Sequence, residues 1–290
     1  MGERLGFIGL GIMGAPMARQ LLASGFALTV HSRSPEPVDE LVSGGAERAG
    51  SPADVARTSD VVITMLPDTL DVEQVVLGDD GVASGITAGA LVIDMSTIDP
   101  GPTRLIAEQL ASRGVEMLDA PVSGGERGAI DGTLSIMVGG SEQAFARAAP
   151  ILESMGKNIV HVGPSGAGQI AKACNQLVVA ATIEAVAEAL VLAERSGVDA
   201  AKVREALLGG FAGSKILEVH GQRMLDRAFE PGFRARLHRK DARIVLNAAE
   251  ASGTPIPSFR AVAVQLDRLV DGAGRGELDH SALFTLLEES

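Results

Sequence analysis

The sequence predicts an α/β domain built on a parallel sheet, followed by an all-α domain. In the first half, short apolar runs alternate with helix-like stretches, and after GPSGAG at 163–168 no convincing strand follows. Of the 290 residues, 46% are hydrophobic and 21% are charged, which suits a globular chain of two domains. We place the domain boundary near residue 163, so that the domains comprise residues 1–163 and 164–290.

Seven strands are expected in the first domain. They are Leu5–Ile8, Ala27–His31, Val61–Leu66, Leu91–Met95, Glu116–Leu118, Leu134–Val138 and Asn158–Val162. Helix-like stretches lie between most of them, for example Ala15–Ala23, Leu105–Ser112 and Glu142–Ser154. Apolar strands that alternate with helices are typical of a parallel sheet covered by helices on both faces.

The second domain is expected to begin with an unusually long helix, Gln169–Ser196, with Gly197 at its C′ position. At 1.5 Å per residue this helix spans about 40 Å. Glu184 and Glu188 interrupt its apolar stretch, which predicts a buried helix of a soluble protein rather than a membrane span. The helices expected after it are Ala200–Leu208, Lys215–Leu225, Leu237–Ser252, Phe259–Asp271 and Ser281–Glu288, the last with Asp279 as its N-cap.

Composition excludes several classes of function. With 25 basic and 37 acidic residues the net charge is −12, so the positive excess that nucleic-acid binding requires is missing. Because the chain has no Tyr, it cannot be a dehydrogenase whose proton donor is a Tyr–Lys pair. The single cysteine, Cys174, excludes an intrachain disulfide and a zinc site built on several thiolates.

Two further expectations concern metals and location. The five histidines are dispersed along the sequence and are interpreted as structural, so we expect no metal site. The apolar run Leu5–Ile12 is short, contains three glycines and lacks a cleavage pattern behind it, so it is not a signal peptide. We therefore expect a cytoplasmic protein without membrane contact.

A glycine-rich turn is the strongest local motif. FIGLGIMGAPMA at 7–18 places Gly9, Gly11 and Gly14 in G-x-G-x-x-G spacing, after a predicted strand and at the start of a predicted helix. The first glycine permits the tight turn, the second lets backbone approach a pyrophosphate, and the third allows close packing of helix on strand. This motif predicts a Rossmann-type dinucleotide site, in which Leu10, Ile12 and Met13 also contact the cofactor; the alternative is a glycine-rich turn without a ligand.

The end of the second strand indicates which nicotinamide cofactor is bound. Ser32, Arg33 and Ser34 occupy the position where an acidic residue would grip a ribose 2′-hydroxyl, and no Asp or Glu appears until Glu36. A guanidinium with two hydroxyls suits a 2′-phosphate, which favours NADP, with NAD possible. The alternative for Arg33 is a solvated surface side chain.

Two more strand ends are placed to contact the cofactor, because open α/β sheets bind ligands at the carboxyl ends of their strands. The first is MLPD at 65–68, from which we select Met65, Leu66 and Pro67. The second is MST at 95–97, where Ser96 and Thr97 could hydrogen-bond a nicotinamide. Equally, these two hydroxyls could cap the helix that follows Pro100.

Two patterns suit a carboxylate substrate. DAPVSGG at 119–125 ends a strand in a turn whose amides at Ser123, Gly124 and Gly125 could bind a carboxylate, the alternative being a bare surface turn. Lys172 and Asn175 lie three residues apart, so both project from one face of the long helix. By itself Lys172 could extend to water, but glycines at 163, 166 and 168 would let this face approach another backbone closely.

Four motifs together resemble the β-hydroxyacid dehydrogenase family, appear in the family's order and cover nearly the whole chain. They are FIGLGIMGAPMA (7–18), DAPVSGG (119–125), GPSGAGQIAKACNQ (163–176) and RKDARIVL (239–246). Stretches 122–140, 230–241 and 277–283 are most similar to family members that reduce tartronate semialdehyde. The sequence departs from many relatives at Ser32, where they carry Asp or Asn, and this weakens a claim for NAD.

The resemblance implies a Rossmann-type domain joined by a long helix to an all-α domain, in a homodimer or homotetramer. It also implies roles for single residues: Lys172 as the catalytic lysine, Asn175 as an amide that orients substrate, Ser123, Gly124 and Gly125 as the carboxylate-binding turn, Thr97 as a cofactor contact, Lys240 and Asp241 as the motif on the nicotinamide side, and Phe233 as an aromatic near the substrate.

We therefore expect hydride transfer between NADPH and the aldehyde carbon of a short 3-oxo acid, with tartronate semialdehyde reduced to glycerate. Lys172, with a reference pKa of about 10.4, would donate the proton to the carbonyl oxygen. A 3-hydroxyisobutyrate dehydrogenase or a short-chain semialdehyde reductase would use the same residues. An imine reductase is disfavoured because Lys172 is present, as is a non-catalytic NADP-binding sensor or scaffold.

Overall fold

The computed structural model describes residues 2–289, which divide into two compact units. The first unit ends at Lys172 and the second begins at Ala173. The boundary expected near residue 163 falls at the end of the last strand, nine residues before this division. The division therefore lies inside the long helix, which begins in the first unit and continues in the second.

The first unit is built on one mixed sheet. Over the described residues its strands are β1 (Arg4–Ile8), β2 (Ala27–His31), β3 (Glu47–Arg48), β4 (Val61–Thr64), β5 (Leu91–Asp94), β6 (Glu116–Asp119), β7 (Val122–Ser123), β8 (Leu134–Gly139) and β9 (Gly156–Gly163). Their order is β3-β2-β1-β4-β5-β6-β8-β7, and β9 also pairs with β8. Strands β1 to β6 are all parallel, as predicted.

The sheet departs from the predicted parallel pattern at one edge. Strand β8 runs antiparallel to both β6 and β7. A parallel crossover needs a dozen or more residues, usually with a full helix, whereas β7 and β8 are joined only by residues 124–133. The chain therefore reverses direction between β7 and β8. Strands β3 and β7 were not predicted, because two residues are too few to produce a recognisable strand pattern.

Within residues 2–172, eight helices connect these strands. They are α1 (Gly14–Ala23), α2 (Pro35–Ser43), α3 (Pro52–Thr58), α4 (Thr69–Leu77), α5 (Val82–Gly85), α6 (Pro100–Ala111), α7 (Gly125–Ile130) and α8 (Glu142–Glu153). Helices α2 to α5 and α7 have four to nine residues, which is too short for a clear helical period, so none of them was predicted.

Alternate strand residues enter two separate cores, one on each face of the sheet. Leu5 and Phe7 of β1 belong to one buried cluster and Ile8 to the other. In β4, Ile63 belongs to the first of these clusters and Val62 to the second. Strands buried on both faces read as continuous apolar runs, which is why the sequence showed them clearly.

The second unit is helical. Its elements are the continuation of α9 (Ala167–Arg195), α10 (Ala200–Leu208), α11 (Lys215–Leu225), α12 (Ala235–Ser252), α13 (Pro257–Asp267), a π-helical turn (Arg268–Gly272), a 3-10 turn (His280–Ala282) and α14 (Leu283–Glu288). Between residues 173 and 289 the pairing of Arg234 with Asp279 is the single β-bridge. The fold class is therefore confirmed, and Gly197, predicted at the C′ position of the long helix, has a positive φ of 74°. Asp279 caps the 3-10 turn before α14 rather than the last helix itself, whose N-cap residue is Ala282.

Helix α9 is long and apolar enough to cross a membrane by length and composition, but half of its most apolar window is buried inside the protein. A core helix of a soluble protein gives the same signal. Within the helix, Glu184 is only 6% exposed, and its Oε2 has no hydrogen-bond partner among the described residues. Burial, with a smaller contribution from Glu188, raises the pKa of Glu184 to about 7.

Candidate active site

The glycine-rich turn joins β1 to α1 at the carboxyl edge of the sheet. Gly9 has φ of 98°, and a Cβ there would lie 2.3 Å from the carbonyl oxygen of Met65. A Cβ at Gly14 would lie 1.9 Å from the carbonyl oxygen of Gly9. A Cβ at Gly11, in contrast, would meet nothing within 4 Å, so its absence leaves space in front of the turn. The turn thus fits a dinucleotide pyrophosphate, because that ligand needs close backbone approach at the start of a helix.

The predicted 2′-phosphate residues follow β2. The Arg33 side chain is 86% exposed, and its guanidinium lies 3.9 Å from the carboxylate of Asp71 in α4. Ser34 is the N-cap residue of α2, but its hydroxyl makes no capping hydrogen bond. An exposed guanidinium beside a hydroxyl that makes no capping bond can reach a phosphate, and the carboxylate neighbour Asp71 was not predicted.

The ends of β4 and β5 are connected by a buried hydrogen-bond network. The Oδ1 atom of Asp94 accepts hydrogen bonds from the hydroxyls of Thr64 (2.8 Å) and Ser96 (2.6 Å). The Ser96 hydroxyl in turn accepts the N–H of Leu66 at 2.9 Å. Asp94 is fully buried, and this burial raises the pKa of its carboxyl to about 6 against the opposing hydrogen bonds. The network holds together the two loops predicted to contact the cofactor.

The structure resolves one of the alternatives left open for the second loop. Helix α6 is capped by Asp99, whose Oδ1 accepts the N–H of Gly101 at 3.0 Å. Neither Ser96 nor Thr97 is its capping residue, so the capping interpretation of these two residues is wrong. Ser96 is instead buried in the Asp94 network, and Thr97 is partly exposed.

A second buried carboxylate, Asp119 at the end of β6, holds the start of α9. Its two oxygens accept the backbone N–H groups of Gly166 (2.7 Å) and Gln169 (2.9 Å). Close approach is possible because Gly168 has no side chain: a Cβ there would lie 2.4 Å from the carbonyl oxygen of Met137. Burial raises the pKa of Asp119, although these N–H groups oppose the shift. Asp119 therefore joins the helix that carries Lys172 to the carboxyl edge of the sheet.

Lys172 lies at the end of the first unit and is 7% exposed. One turn before it, the Gln169 side chain binds the backbone on both sides of Thr97: Nε2 donates to the Ser96 carbonyl (2.8 Å), and Oε1 accepts the N–H of Ile98 (3.1 Å). Gln169 was not predicted, because nothing local in the sequence marks a glutamine whose partners are about 70 residues away.

The predicted carboxylate-binding turn has the backbone that the motif requires. Gly124 and Gly125 have φ of 134° and 60°, which side chains other than glycine rarely adopt. A Cβ at Gly125 would meet nothing within 4 Å, so the turn is open on that side. Ser123 is the last residue of β7, where it pairs with Ser135 of β8.

In the second unit, three predicted site residues belong to one polar chain. The Asn175 amide donates to Oε1 of Gln176 (2.8 Å), and the Gln176 amide donates to the carboxylate of Asp241. The Lys240 ammonium lies 3.0 Å from the same carboxylate. Gln176 is buried and connects Asn175 with the Lys240–Asp241 pair, a link that the sequence did not reveal.

Three of the histidines that are dispersed along the sequence cluster in space in the second unit, which the sequence did not reveal. Nδ1 of His280 lies 2.8 Å from Nδ1 of His238, and the ring of Phe233 packs edge-to-face on both imidazoles. His220 contacts the other nitrogen of His280 at 3.4 Å. Burial lowers the pKa of His280 well below its ordinary value, and His238 adds to the shift. Phe233, predicted near the substrate, is thus part of this cluster.

His220 and His280 also group with Asp279 as potential metal ligands, with one ligand atom from each within 4.8 Å of the others. The Asp279 oxygens, however, already accept hydrogen bonds from Gly232, Phe233 and Ser281. The Arg223 guanidinium lies 3.1 Å from the same carboxylate. A carboxylate so occupied is a poor cation ligand, because binding a metal would break several of these bonds.

Comparisons with known proteins place both halves of the chain. Residues 4–163 match the family model of the NAD binding domain of 6-phosphogluconate dehydrogenase. Residues 166–287 match a second family model, which is described as the NAD-binding of NADP-dependent 3-hydroxyisobutyrate dehydrogenase.

Individual relatives match over nearly the full length. The chain is 48% identical to a 2-hydroxy-3-oxopropionate reductase of Escherichia coli (strain K12), covering 98% of this chain and 97% of that protein. It is 41% identical to an NAD-dependent L-serine dehydrogenase of Pseudomonas aeruginosa, covering 99% and 98%. Among solved structures, a 3-hydroxyisobutyrate dehydrogenase of Mycobacterium tuberculosis with L-serine superposes with a TM-score of 0.90 at 34% identity, covering 99% of both chains.

The role of Asp119 gives a testable prediction. Replacing Asp119 by Asn turns one acceptor into a donor that faces a backbone N–H group. We expect the free energy of unfolding to fall by about 2–3 kcal/mol, the cost of losing a buried hydrogen bond to a charged group. Urea denaturation followed by circular dichroism measures the loss. The matched control is Asp99→Asn, since Asn caps a helix about as well as Asp, and equal losses in the two variants would contradict the assignment.

Proposed function

The chain belongs to the β-hydroxyacid dehydrogenase family and is an NAD(P)-binding oxidoreductase, and from that premise we propose that it reduces tartronate semialdehyde to glycerate. One observation carries the proposal. A buried lysine, Lys172, lies one turn into a helix whose start is bonded to the carboxyl edge of the sheet, where the dinucleotide turn opens. A cation at that edge can act on a carbonyl oxygen next to the cofactor.

The proposed reaction adds a hydride and a proton across the aldehyde C=O bond. When bound, the reduced nicotinamide supplies the hydride to the carbonyl carbon. The Lys172 ammonium donates its proton to the carbonyl oxygen, and the amide of Asn175, three residues along the helix, orients that oxygen. The N–H groups of Ser123, Gly124 and Gly125 bind the substrate carboxylate. In the oxidative direction Lys172 must be neutral to accept the proton, so oxidation is favoured as the pH rises.

The family resemblance supports further roles. Lys240 and Asp241 are proposed to contact the cofactor, Thr97 to contact the nicotinamide, and Phe233 to lie near the substrate. The residues around the dinucleotide turn (Leu10, Ile12 and Met13) and the loop after β4 (Met65, Leu66 and Pro67) are proposed as further cofactor contacts. We also propose that the protein acts in the cytoplasm.

A second candidate is 3-hydroxyisobutyrate dehydrogenase activity. The structural match to the Mycobacterium tuberculosis enzyme of that name supports it. The higher identity to the Escherichia coli reductase, 48% against 34%, favours tartronate semialdehyde. The two substrates differ by a methyl and a hydroxyl group, a difference worth about 1–3 kcal/mol in an apolar pocket, so direct comparison of kcat/KM decides between them.

NADP is proposed as the preferred cofactor. Arg33 is exposed beside the Ser34 hydroxyl, and no acidic residue lies in the sequence between Ser32 and Pro35. A guanidinium binds a phosphate through paired, charge-assisted hydrogen bonds, whereas an acidic residue would grip a 2′-hydroxyl.

The catalytic role of Lys172 is tested with Lys172→Ala. We expect the wild-type protein to consume NADPH when tartronate semialdehyde is added, followed by the absorbance of the reduced nicotinamide. The variant should lose about 10²–10⁴-fold in kcat, because the proton donor is gone, and keep its affinity for NADPH. Lys157→Ala, an exposed lysine of β9, is the control. NADPH binding without turnover of tartronate, methylmalonate or succinate semialdehyde would instead favour a cofactor sensor.

The cofactor preference is tested with Arg33→Ala. We expect the dissociation constant for NADPH to rise by about 10–100-fold, which is the loss of one or two charge-assisted hydrogen bonds, and that for NADH to stay unchanged. The fluorescence of bound reduced nicotinamide reports both constants. The matched control is Arg57→Ala, an exposed arginine of α3. An unchanged NADPH/NADH ratio in Arg33→Ala would refute the assignment.

We propose that the protein forms a homodimer or homotetramer through one exposed face of α9. Val178 (59% exposed) and Leu192 (69% exposed) lie on either side of the exposed Ala185 at seven-residue spacing, which leaves an apolar stripe along the helix. We expect light scattering to give two or four times the chain mass of 29.8 kDa, and Leu192→Lys to lower that mass. Leu70→Lys, at a similarly exposed site in α4, should leave the mass unchanged. A wild-type mass of one chain would rule the proposal out.

A further inference from the structure

We propose that Gln169 is a positioning residue that fixes the loop around Thr97 relative to Lys172. The inference rests on the proposed function, in which Thr97 contacts the nicotinamide and Lys172 donates the proton. Gln169 itself is placed to touch neither substrate nor cofactor, because its side chain is only 1% exposed and both of its polar groups are bound to the protein.

The amide of Gln169 binds two consecutive backbone sites of opposite kind. Its NH₂ group donates to the carbonyl of Ser96, and its oxygen accepts the N–H of Ile98. These two groups lie immediately before and after Thr97 in the chain. A planar amide that makes both bonds fixes the orientation of the two peptide groups, and with them the backbone of Thr97.

The loop side of this contact is itself held in place. The Ser96 hydroxyl donates to Asp94 and accepts the N–H of Leu66, so the loop after β5 is joined to the loop after β4. Both loops are proposed to contact the cofactor. Gln169 thereby connects α9 to the loop after β5 through Ser96 and Ile98, and Ser96 connects that loop to the loop after β4.

The helix side is equally fixed. The backbone N–H of Gln169 donates to Asp119, so the first turn of α9 is bonded to the end of β6. Lys172 follows three residues later, one turn along and on the same helix face, where Cβ atoms lie about 5–6 Å apart. A movement of the loop relative to α9 therefore changes the separation between Thr97 and Lys172 directly.

Only a glutamine provides this contact. Glutamate has the same length but, when ionised, cannot donate to a carbonyl; asparagine is one carbon shorter; and leucine has the volume without either bond. Proton and hydride transfer depend steeply on geometry, and a displacement of about 1 Å can cost about 10²-fold in rate. Loss of Gln169 should therefore lower kcat more than it weakens ground-state binding.

The first experiment compares Gln169→Ala with Ser59→Ala, which also removes a buried side-chain hydrogen bond to backbone, that from Ser59 to Val55, in the same unit. We expect kcat of Gln169→Ala to fall by about 10–100-fold while the dissociation constant for NADPH changes by less than about 3-fold. Hydrogen exchange of the Ile98 amide should accelerate, because its acceptor is gone. Ser59→Ala should keep the wild-type kcat and the wild-type exchange rate at Ile98.

The second experiment uses Gln169→Glu. An ionised glutamate repels the Ser96 carbonyl, whereas the protonated acid donates to it again, and burial at this position raises the pKa of an introduced carboxyl. The kcat of this variant relative to wild type should therefore recover as the pH falls. A purely structural role predicts lower thermal stability in all variants with an unchanged kcat, and that outcome would overturn the inference.

The outcomes separate the inference from the proposed function. If wild type is active, Lys172→Ala is inactive and Gln169→Ala keeps full kcat, the positioning role is wrong and the proposed function stands. If Lys172→Ala is as active as wild type, or if the wild-type protein turns over no semialdehyde, the proposed function fails and the positioning role fails with it.

Discussion

The capping of helix α9 by the buried carboxylate of Asp119 is the interaction on which the rest of the site depends. A helix begins with four N–H groups that lack partners, and here two of them are satisfied from the end of a neighbouring strand. Desolvation of that carboxylate costs free energy, which the two hydrogen bonds and the favourable potential at a helix N-terminus offset in part. As a result, Lys172, which lies five residues after the start of the helix, is held at the carboxyl edge of the sheet.

Much of this arrangement could be predicted from local signals. The strands of the first unit are buried on both faces and therefore appear as continuous apolar runs. Gly9, Gly14 and Gly124 stand at backbone positions where other residues would clash or strain, and such positions leave a recognisable spacing. Lys172 and Asn175 were found because three-residue spacing on a helix is itself a local property. The two-unit organisation followed from the loss of strand patterns after residue 163.

The remaining features depend on contacts between distant parts of the chain. Asp94 and Asp119 are aligned with Thr64 across three adjacent strands, a register that no single strand encodes. Gln169 and Gln176 are polar residues within apolar stretches, and only their partners, Ser96, Ile98 and Asp241, show why they are buried. The three clustered histidines come from α11, α12 and the turn before α14, so they are dispersed in sequence and adjacent in space. The antiparallel direction of β8 was not predicted, because its neighbour β7 has only two residues and shows no strand pattern in the sequence.

The buried ionisable groups also determine how many protons the protein binds or releases when it unfolds, and therefore how its stability depends on pH. Asp94 and Glu184, whose pKa values are raised to about 6 and about 7, hold protons that the unfolded chain releases near neutral pH. The pKa of His280 is lowered in the folded protein, so at a pH below its ordinary pKa of about 6.5 this histidine takes up a proton when the protein unfolds. The two carboxyls therefore make stability decline as the pH rises towards 7, whereas the histidine makes it decline as the pH falls below 6.5. In slightly acidic solution these two contributions oppose each other and flatten the dependence of stability on proton concentration.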